Sequence, residues 1–582
     1  MQMTIRLTKK ENHMPLEARH AKDLQTGTLP STVGTALGLC FMALASVASI
    51  VLGVLSIFST ALFKIDGPTS GVSPAFPSVT EELIFQYGMP SFRFIAGFVG
   101  LVAGIFIITT VVHAIPLHRI ARFVTIFSLV VSMVWVLSLN ACGAFWYNDS
   151  RSLVDSAGAF LNGDLPMFGP TAPDHGEGSP QFHSYYSWYP FQTGAMLWFV
   201  LVFAITGVGN IAGFQIINAV LSAGIAWAIW KIGERCGIGD GALRCAAVLL
   251  ILCVPLFTSS SFVYPNTAGL FLILVALLLG VQAMRSTSTK RIIVLSVAAY
   301  LVATVAMMVK GTEIIFVIAL TLTMVMTALL KRRYWLIALS CVLFMLSHVL
   351  SSLSVIIVEM ATGQDFGEGL PQLSWIAIGL DAGSTTPNPG WWTSSALDAY
   401  KQTGGDPSAQ SAVAMQSITN SLTAFLQDPG EAFEFFRDKL TSEWSEPTFA
   451  SLYYAHLTET QAPGPIAVAM FGPAYDEIIS FENVYQSVIY IFAAVGIIAS
   501  VIQWKRTDDS LNIGLTLLAL CFLGGFGCFL LWEAKSVYTL PFFLLLIPLA
   551  ASGLHMASRL CGAAYTRISA TLRKRDDTPQ KA

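Results

Sequence analysis

The chain has 582 residues, of which 54% are hydrophobic and only 12% charged, with a formal net charge of −3 at pH 7. Soluble chains carry about 25% charge, so this composition, with repeated apolar runs near twenty residues, excludes a soluble globular protein and predicts an all-α integral membrane protein. The small net charge points to no class of partner, and no nucleic-acid partner is expected.

Residues 1–32 are polar and carry Arg6, Lys9, Lys10, Arg19 and Lys22, which read as a cytoplasmic tail. They lack an apolar run followed by a small-residue cleavage site, so no secretory signal is expected. Apolar spans are predicted at 33–63 and 92–115, and then at 121–142. The stretch 64–91 between the first two is polar, and the next turn holds His118, Arg119 and Arg122.

A polar segment, Tyr147 to Gly194, follows between two apolar stretches. It reads YNDSRSLVDSAGAFLNGD, then a Pro/Gly-rich span, then SYYSWYPFQTG. Asp149, Asp155, Asp164, Asp174 and Glu177 lie here with Arg151, His175 and His183. The apolar piece 191–206, 16 residues long, is short for a crossing and suits an interfacial helix.

Further spans are predicted at 210–230, 241–259, 267–284, 292–309, 312–330 and 335–358. A polar segment, 359–485, is expected to form a mostly helical cap. Spans at 486–503, 512–532 and 537–556 bring the count to twelve, ahead of a basic tail at 557–582. The positive-inside rule supports this count if 191–206 does not cross. Arg119/Arg122, Lys231/Arg235/Arg244, Arg285/Lys290/Arg291, Lys331/Arg332/Arg333, Lys505/Arg506 and the tail then share the cytoplasmic side with both termini. The acidic segments 143–209 and 359–485 face out of the cytoplasm. Nine cysteines fall in or beside apolar runs without a metal or disulfide spacing, and read as small buried hydrophobes.

Asp149, just after a span, is placed to orient an acceptor hydroxyl or take its proton; the structural alternative is a helix N-cap. Asp155 reads as structural and Asp164 as a turn residue. Lys310, in MMVKGTEII, and Lys535, in LLWEAKSVYTLP, stand at the outer ends of spans against the charge trend. Charge at a membrane boundary is costly unless it is used or paired. A lipid phosphate would use both lysines, and snorkelling to headgroups is the alternative. Tyr185, Tyr186, Trp188 and Tyr189 form either a sugar-stacking platform or an interfacial aromatic belt. His175 and His183, with Asp174 or Glu177, lack a tight metal spacing. No cofactor is assigned, and a divalent metal stays open. The chain has no Walker motif, nucleotide fingerprint or G-x-S-x-G.

The order NDSRSLVDSAGAFLNGD, YYSWYPFQTG and an interfacial helix resembles the GT-C superfamily of membrane glycosyltransferases, which includes protein O-mannosyltransferases and lipid A aminoarabinose transferases. NPGWWTSSALDAY, FFRDKLTSEWSEPTFASLYYA and LLWEAKSVYTLPFFLLLIP are similar to a bacterial branch of it, and the resemblance covers roughly 120–556. It implies a catalytic transmembrane core at 119–358 with its outer loop at 143–209, and C-terminal helices at 486–556. It implies an inverting transfer of a sugar from a polyprenyl-phosphate donor to a hydroxyl of a glycan, lipid or protein acceptor. By the resemblance Asp149 would be the base, Lys310 would hold the donor phosphate and Tyr189–Pro190 would match the motif that begins the interfacial helix. On the residue reading Lys535 would join Lys310 on the phosphate, and Tyr185, Trp188, Tyr189 and Asn266 would bind substrate. The chain departs from the pattern twice: relatives often carry an acid where Asn266 stands, and the spans 33–63 and 92–115 form an additional N-terminal pair, within 33–118, ahead of the span that leads into the catalytic loop. A transporter or flippase for lipid-linked saccharides, with Glu313 and His348 as its intramembrane candidates, and a ligase using the same lipid are the rival readings.

Overall fold

In the computed structural model, residues 29–63, 83–173, 180–383, 388–507 and 512–576 are described. The protein is an all-α polytopic membrane protein. Eleven of the described helices are long and apolar enough to cross a bilayer, and twelve cross if the bent pair Asp240–Leu252 and Val254–Ser261 is one span. That pair bends by 57°, and Pro255 opens its second half. The Val254 N–H at the break is taken by the buried Glu482 carboxyl at 3.2 Å. Helix Gln192–Thr206 is apolar but falls short of a span.

Several element boundaries differ from the sequence expectation; helix Tyr475–Thr507, for one, starts within the segment expected to be the polar cap. The first span is helical only over Leu29–Phe58; Ser59–Phe63 is instead a strand paired antiparallel with Leu83–Tyr87. Two strands flanking a membrane helix satisfy each other's backbone groups where the helix stops. Leu117–Leu139 ends on Asn140 in the left-handed conformation (φ 52°), whose amide donates to the Ala462 carbonyl at 3.1 Å. Strand Ala141–Phe145 then pairs with Thr458–Thr460. The last helix does not stop near 556 but runs from Ser536 to Asp576.

Helix Leu29–Phe58 packs along Tyr475–Thr507, and Tyr475–Thr507 along the final helix. That last crossing is close enough for backbones to touch: a Cβ on Gly496 would overlap the Leu549 carbonyl, and one on Gly553 the Phe492 carbonyl. Lipid tails supply no hydrophobic drive between helices, so such small-residue contacts hold membrane bundles together. Phe92–Val111 lies at the periphery with most of its surface uncovered.

Basic side chains cap helix C-termini at one end of the bundle. Arg244 donates to the carbonyls of His113 (2.8 Å) and Ile115 (3.2 Å). Lys331 reaches Met284 O at 2.6 Å and Arg285 reaches Arg235 O at 2.7 Å. These carbonyls have no partner within their own helices, and a cation also suits that end of the helix dipole. The chain segments that build the site lie at the opposite helix ends.

Candidate functional site

Strand pairing fixes the start of the site. The Trp146 N–H donates to Leu457 O at 2.9 Å, and helix Asn148–Asn162 begins directly after, with Tyr147 at its N-cap position. Asp149 is therefore in the first turn rather than at the N-cap, where the helix dipole favours a carboxylate that does not itself serve as the cap.

The 258–264 turn is held by buried polar side chains. Trp135 donates to Thr258 O (3.1 Å), Gln215 to Ser261 O (2.9 Å), Asn218 to Phe262 O (2.9 Å) and Ser150 to Val263 O (2.5 Å). This presents Tyr264 to Asp149: the phenol donates to Oδ2 at 3.4 Å and accepts from Gln192 Nε2 at 2.5 Å. Burial first, and then the Asp149 charge, push the Tyr264 phenol well above its ordinary pKa, so it acts as a donor at neutral pH.

Two lysines face the same space. Lys310 is the extended residue (φ −145°) that caps helix Thr289–Val309. Its Nζ lies 4.7 Å over the Tyr264 ring and 5.3 Å over the Tyr538 ring. Lys535 Nζ lies 5.3 Å over Tyr147 and 5.7 Å over Trp391, and donates to the Tyr147 hydroxyl at 3.3 Å. Lys535 is only 4% exposed, so it does not snorkel to water. Each cation thus stands between two aromatic faces, which attract positive charge when water is excluded. Burial lowers the Lys310 pKa to about 8, against the opposing pull of Glu313, Asp149 and Glu533. Glu533, 5% exposed, is a second carboxylate in this field, acting on Lys310, Tyr189 and Tyr264.

Tyr185 and Tyr189 border Asp149, whose charge adds to burial in raising both phenols. Tyr186 bonds Ser156 at 2.7 Å and anchors the wall from behind. Trp188 meets Tyr189 edge-on at 6.3 Å, and its carbonyl accepts from Leu370 N–H at 3.0 Å. Asn266 opens helix Asn266–Arg285, and its Oδ1 is buried with no hydrogen-bond partner. Asp155 pairs with Arg151 at 3.8 Å on the same helix.

Sequence reasoning missed Tyr147, Gln192, Tyr264, Trp391, Glu533 and Tyr538 as members of this site. Tyr264 and Glu533 stand in SSSFVYPNTAG and LLWEAKSVYTLP beside Asn266 and Lys535, but only the fold brings them to Asp149. It also missed Glu446. This buried carboxylate accepts from Thr448 N (3.0 Å), Thr448 Oγ1 (2.6 Å) and Ala450 N (2.5 Å). It holds Phe449 and Ala450 at φ 50° and 57°, a left-handed pair that costs on the order of 1–3 kcal/mol per residue. Helix Ser451–His456 starts there, and its Tyr454 stacks on Phe262 at 4.0 Å and meets Tyr147 at 5.3 Å.

Among the described residues no group of three His, Cys, Asp or Glu side chains is placed to hold a metal ion. His183 lies 3.4 Å from Ser187 Oγ and packs on Phe366; Asp174, His175 and Glu177 lie outside the described residues.

No protein-family profile matches this chain, and no curated protein matches it. Among solved structures it is similar to the Archaeoglobus fulgidus oligosaccharyltransferase in complex with zinc and sulfate. The identity is 12% and the TM-score 0.25, over 70% of this chain and 53% of that one. The chain thus spans about half the length of that protein, and at this score the likeness carries no weight for fold or function.

Proposed function

We propose that the chain is a membrane glycosyltransferase that moves a sugar from a polyprenyl-phosphate donor to an acceptor hydroxyl on the extracytoplasmic side. The carrying observation is the pairing of an Asp149 carboxylate, bonded by Tyr264, with two aromatic-backed lysines in one neighbourhood. The GT-C resemblance of the motifs supports the same reading. The acidic, aromatic segment at the bundle end opposite the basic caps supports the side.

The chemistry needs three things. Asp149 orients the acceptor O–H and takes its proton as the oxygen attacks the anomeric carbon. The bond from that carbon to the phosphate oxygen breaks on the opposite face, so the anomeric configuration inverts. Polyprenyl phosphate departs with the bonding electron pair, and Lys310 and Lys535 offset the charge that gathers on it. The phosphate is already a good leaving group, so no nucleotide is needed. Tyr185, Tyr189 and Trp391 supply apolar faces for a sugar ring, while Tyr264 keeps Asp149 aimed.

The test is release of polyprenyl phosphate and sugar transfer by the purified chain in lipid vesicles. Lys310→Ala is expected to weaken donor use more than acceptor use; an unchanged donor KM and rate would overturn the phosphate assignment.

A further inference from the structure

Helix Pro429–Trp444 lies outside the reacting groups, yet one face of its last two turns grips every chain segment that carries the C-terminal half of the site. Lys439 is fully buried. Its ammonium donates to Gly379 O at 2.5 Å and Trp532 O at 2.7 Å, carbonyls that end two different helices. The two carbonyl segments meet directly, because a Cβ on Gly379 would overlap the Trp532 carbonyl. Gly390, at φ 73°, lets the lysine stem pass: a Cβ there would lie 3.0 Å from Lys439 Cδ. The Gly390 carbonyl in turn accepts the Ala534 N–H at 2.8 Å.

Three and four residues on, the same helix face continues the grip. Ser442 Oγ accepts from Trp391 Nε1 at 3.0 Å, and the Glu443 carbonyl accepts from Thr539 Oγ1 at 2.6 Å. Trp391 and residues 533–535 are thereby fixed against one helix. These are the groups that flank and carry the Lys535 ammonium. A buried ammonium is expensive even when it is paired; this one is drawn by the buried Glu443 carboxyl one turn on and by Glu533, and a neutral apolar side chain of similar length would fill the same space without holding either carbonyl. The placement therefore makes sense if the two carbonyls have to be held together.

We propose that Lys439 is a positioning residue, whose bridge between the Gly379 and Trp532 carbonyls sets where Lys535 and Trp391 stand in the donor site. This rests on the glycosyltransferase reading only for its consequence in transfer; the positioning itself is tested without it. A misplacement near 1 Å in a reacting constellation can cost on the order of 10²-fold in rate, so Lys439→Met is expected to lower kcat/KM for the donor by about that factor.

The experiment uses the full chain in lipid nanodiscs, labelled with limiting acetic anhydride and read by mass spectrometry at Lys535 and at the exposed Lys401. In folded Lys439→Met, judged by its thermal unfolding midpoint, acetylation of Lys535 is expected to rise several-fold relative to Lys401. Lys439→Arg, which keeps a charged double donor, should restore the wild-type ratio. If Lys439→Met does not fold, Lys439→Gln, which retains a donor for one carbonyl, carries the same comparison. A folded variant whose Lys535-to-Lys401 ratio equals wild type overturns the proposal, as a merely structural lysine would give that result. Absence of transfer by wild-type protein would defeat the glycosyltransferase reading, while the labelling ratio would still decide the positioning role.

Discussion

The ammonium of Lys310 lies 4.7 Å over the ring of Tyr264, and the hydroxyl of that same ring donates to Asp149. One tyrosine therefore joins the group that would take the acceptor's proton to the group that would hold the leaving phosphate. Its position depends on neither charged residue, since the 258–264 turn is pinned by Gln215, Asn218, Ser150 and Trp135.

Tyr264→Phe keeps the ring beneath Lys310 and removes only the hydroxyl. Gln192 Nε2 and Asp149 both lose a partner, and an unsatisfied buried polar group costs about 1–3 kcal/mol. The expected outcome is a kcat lowered by about ten- to a hundredfold with little change in donor KM, read in steady-state transfer assays. A matching rise in donor KM would mean that the ring, not the hydroxyl, was disturbed.

Lys310 gives the reaction an alkaline limit. Its pKa is lowered by burial to about 8, so the charge that meets the phosphate is present below that pH and is lost as pH rises through it. Donor KM should climb above about pH 8 in wild type, and Lys310→Arg should move the limb upward because arginine stays protonated. The folding sign is opposite: a lysine pKa depressed in the fold penalises the folded state at low pH. That penalty fades as pH rises from about 8 toward the ordinary value of 10.5. A pH–rate profile and a pH–unfolding series on the same sample separate the two effects.

Gly553→Ala tests the bundle rather than the site. The added methyl group meets the Phe492 carbonyl at the helix crossing, and overpacking of this kind typically costs about 1–3 kcal/mol. A lower thermal midpoint in detergent is expected, with the ratio of donor to acceptor KM unchanged. A midpoint equal to wild type would show that the crossing yields without cost.

Much of the fold is legible in the chain. Runs such as 267–284 and 292–309 are long, apolar and bounded by Arg285 and Lys290, so length and charge alone mark them as spans. The bent span at 253–254 and the strand pairs are not legible. Thr458–Thr460 is three residues long, too short to show alternation, and it pairs with a strand far away in the chain, at Ala141–Phe145. Asp149, Lys310 and Lys535 stand out because a charge beside an apolar run is conspicuous. Tyr264, Glu533 and Trp391 do not, since an aromatic or an acid in a membrane-edge turn has many ordinary reasons to be there. In the sequence Lys439 is only one of the few cations in the 359–485 segment. Nothing local distinguishes a lysine on an amphipathic helix from one whose carbonyl partners come from residues 379 and 532.

The central claim is that Asp149 acts as a base in transfer from a lipid-phosphate sugar. The most direct measurement is transfer of radiolabelled sugar from polyprenyl-phosphate donors in vesicles bearing wild type or Asp149→Asn at equal expression. The asparagine keeps the size of the side chain and accepts the Tyr264 hydrogen bond, but it cannot take a proton. Label moving to acceptor with wild type and not with the variant is the predicted result; equal label in both, or no transfer while the lipid-linked sugar crosses the bilayer intact, would contradict it.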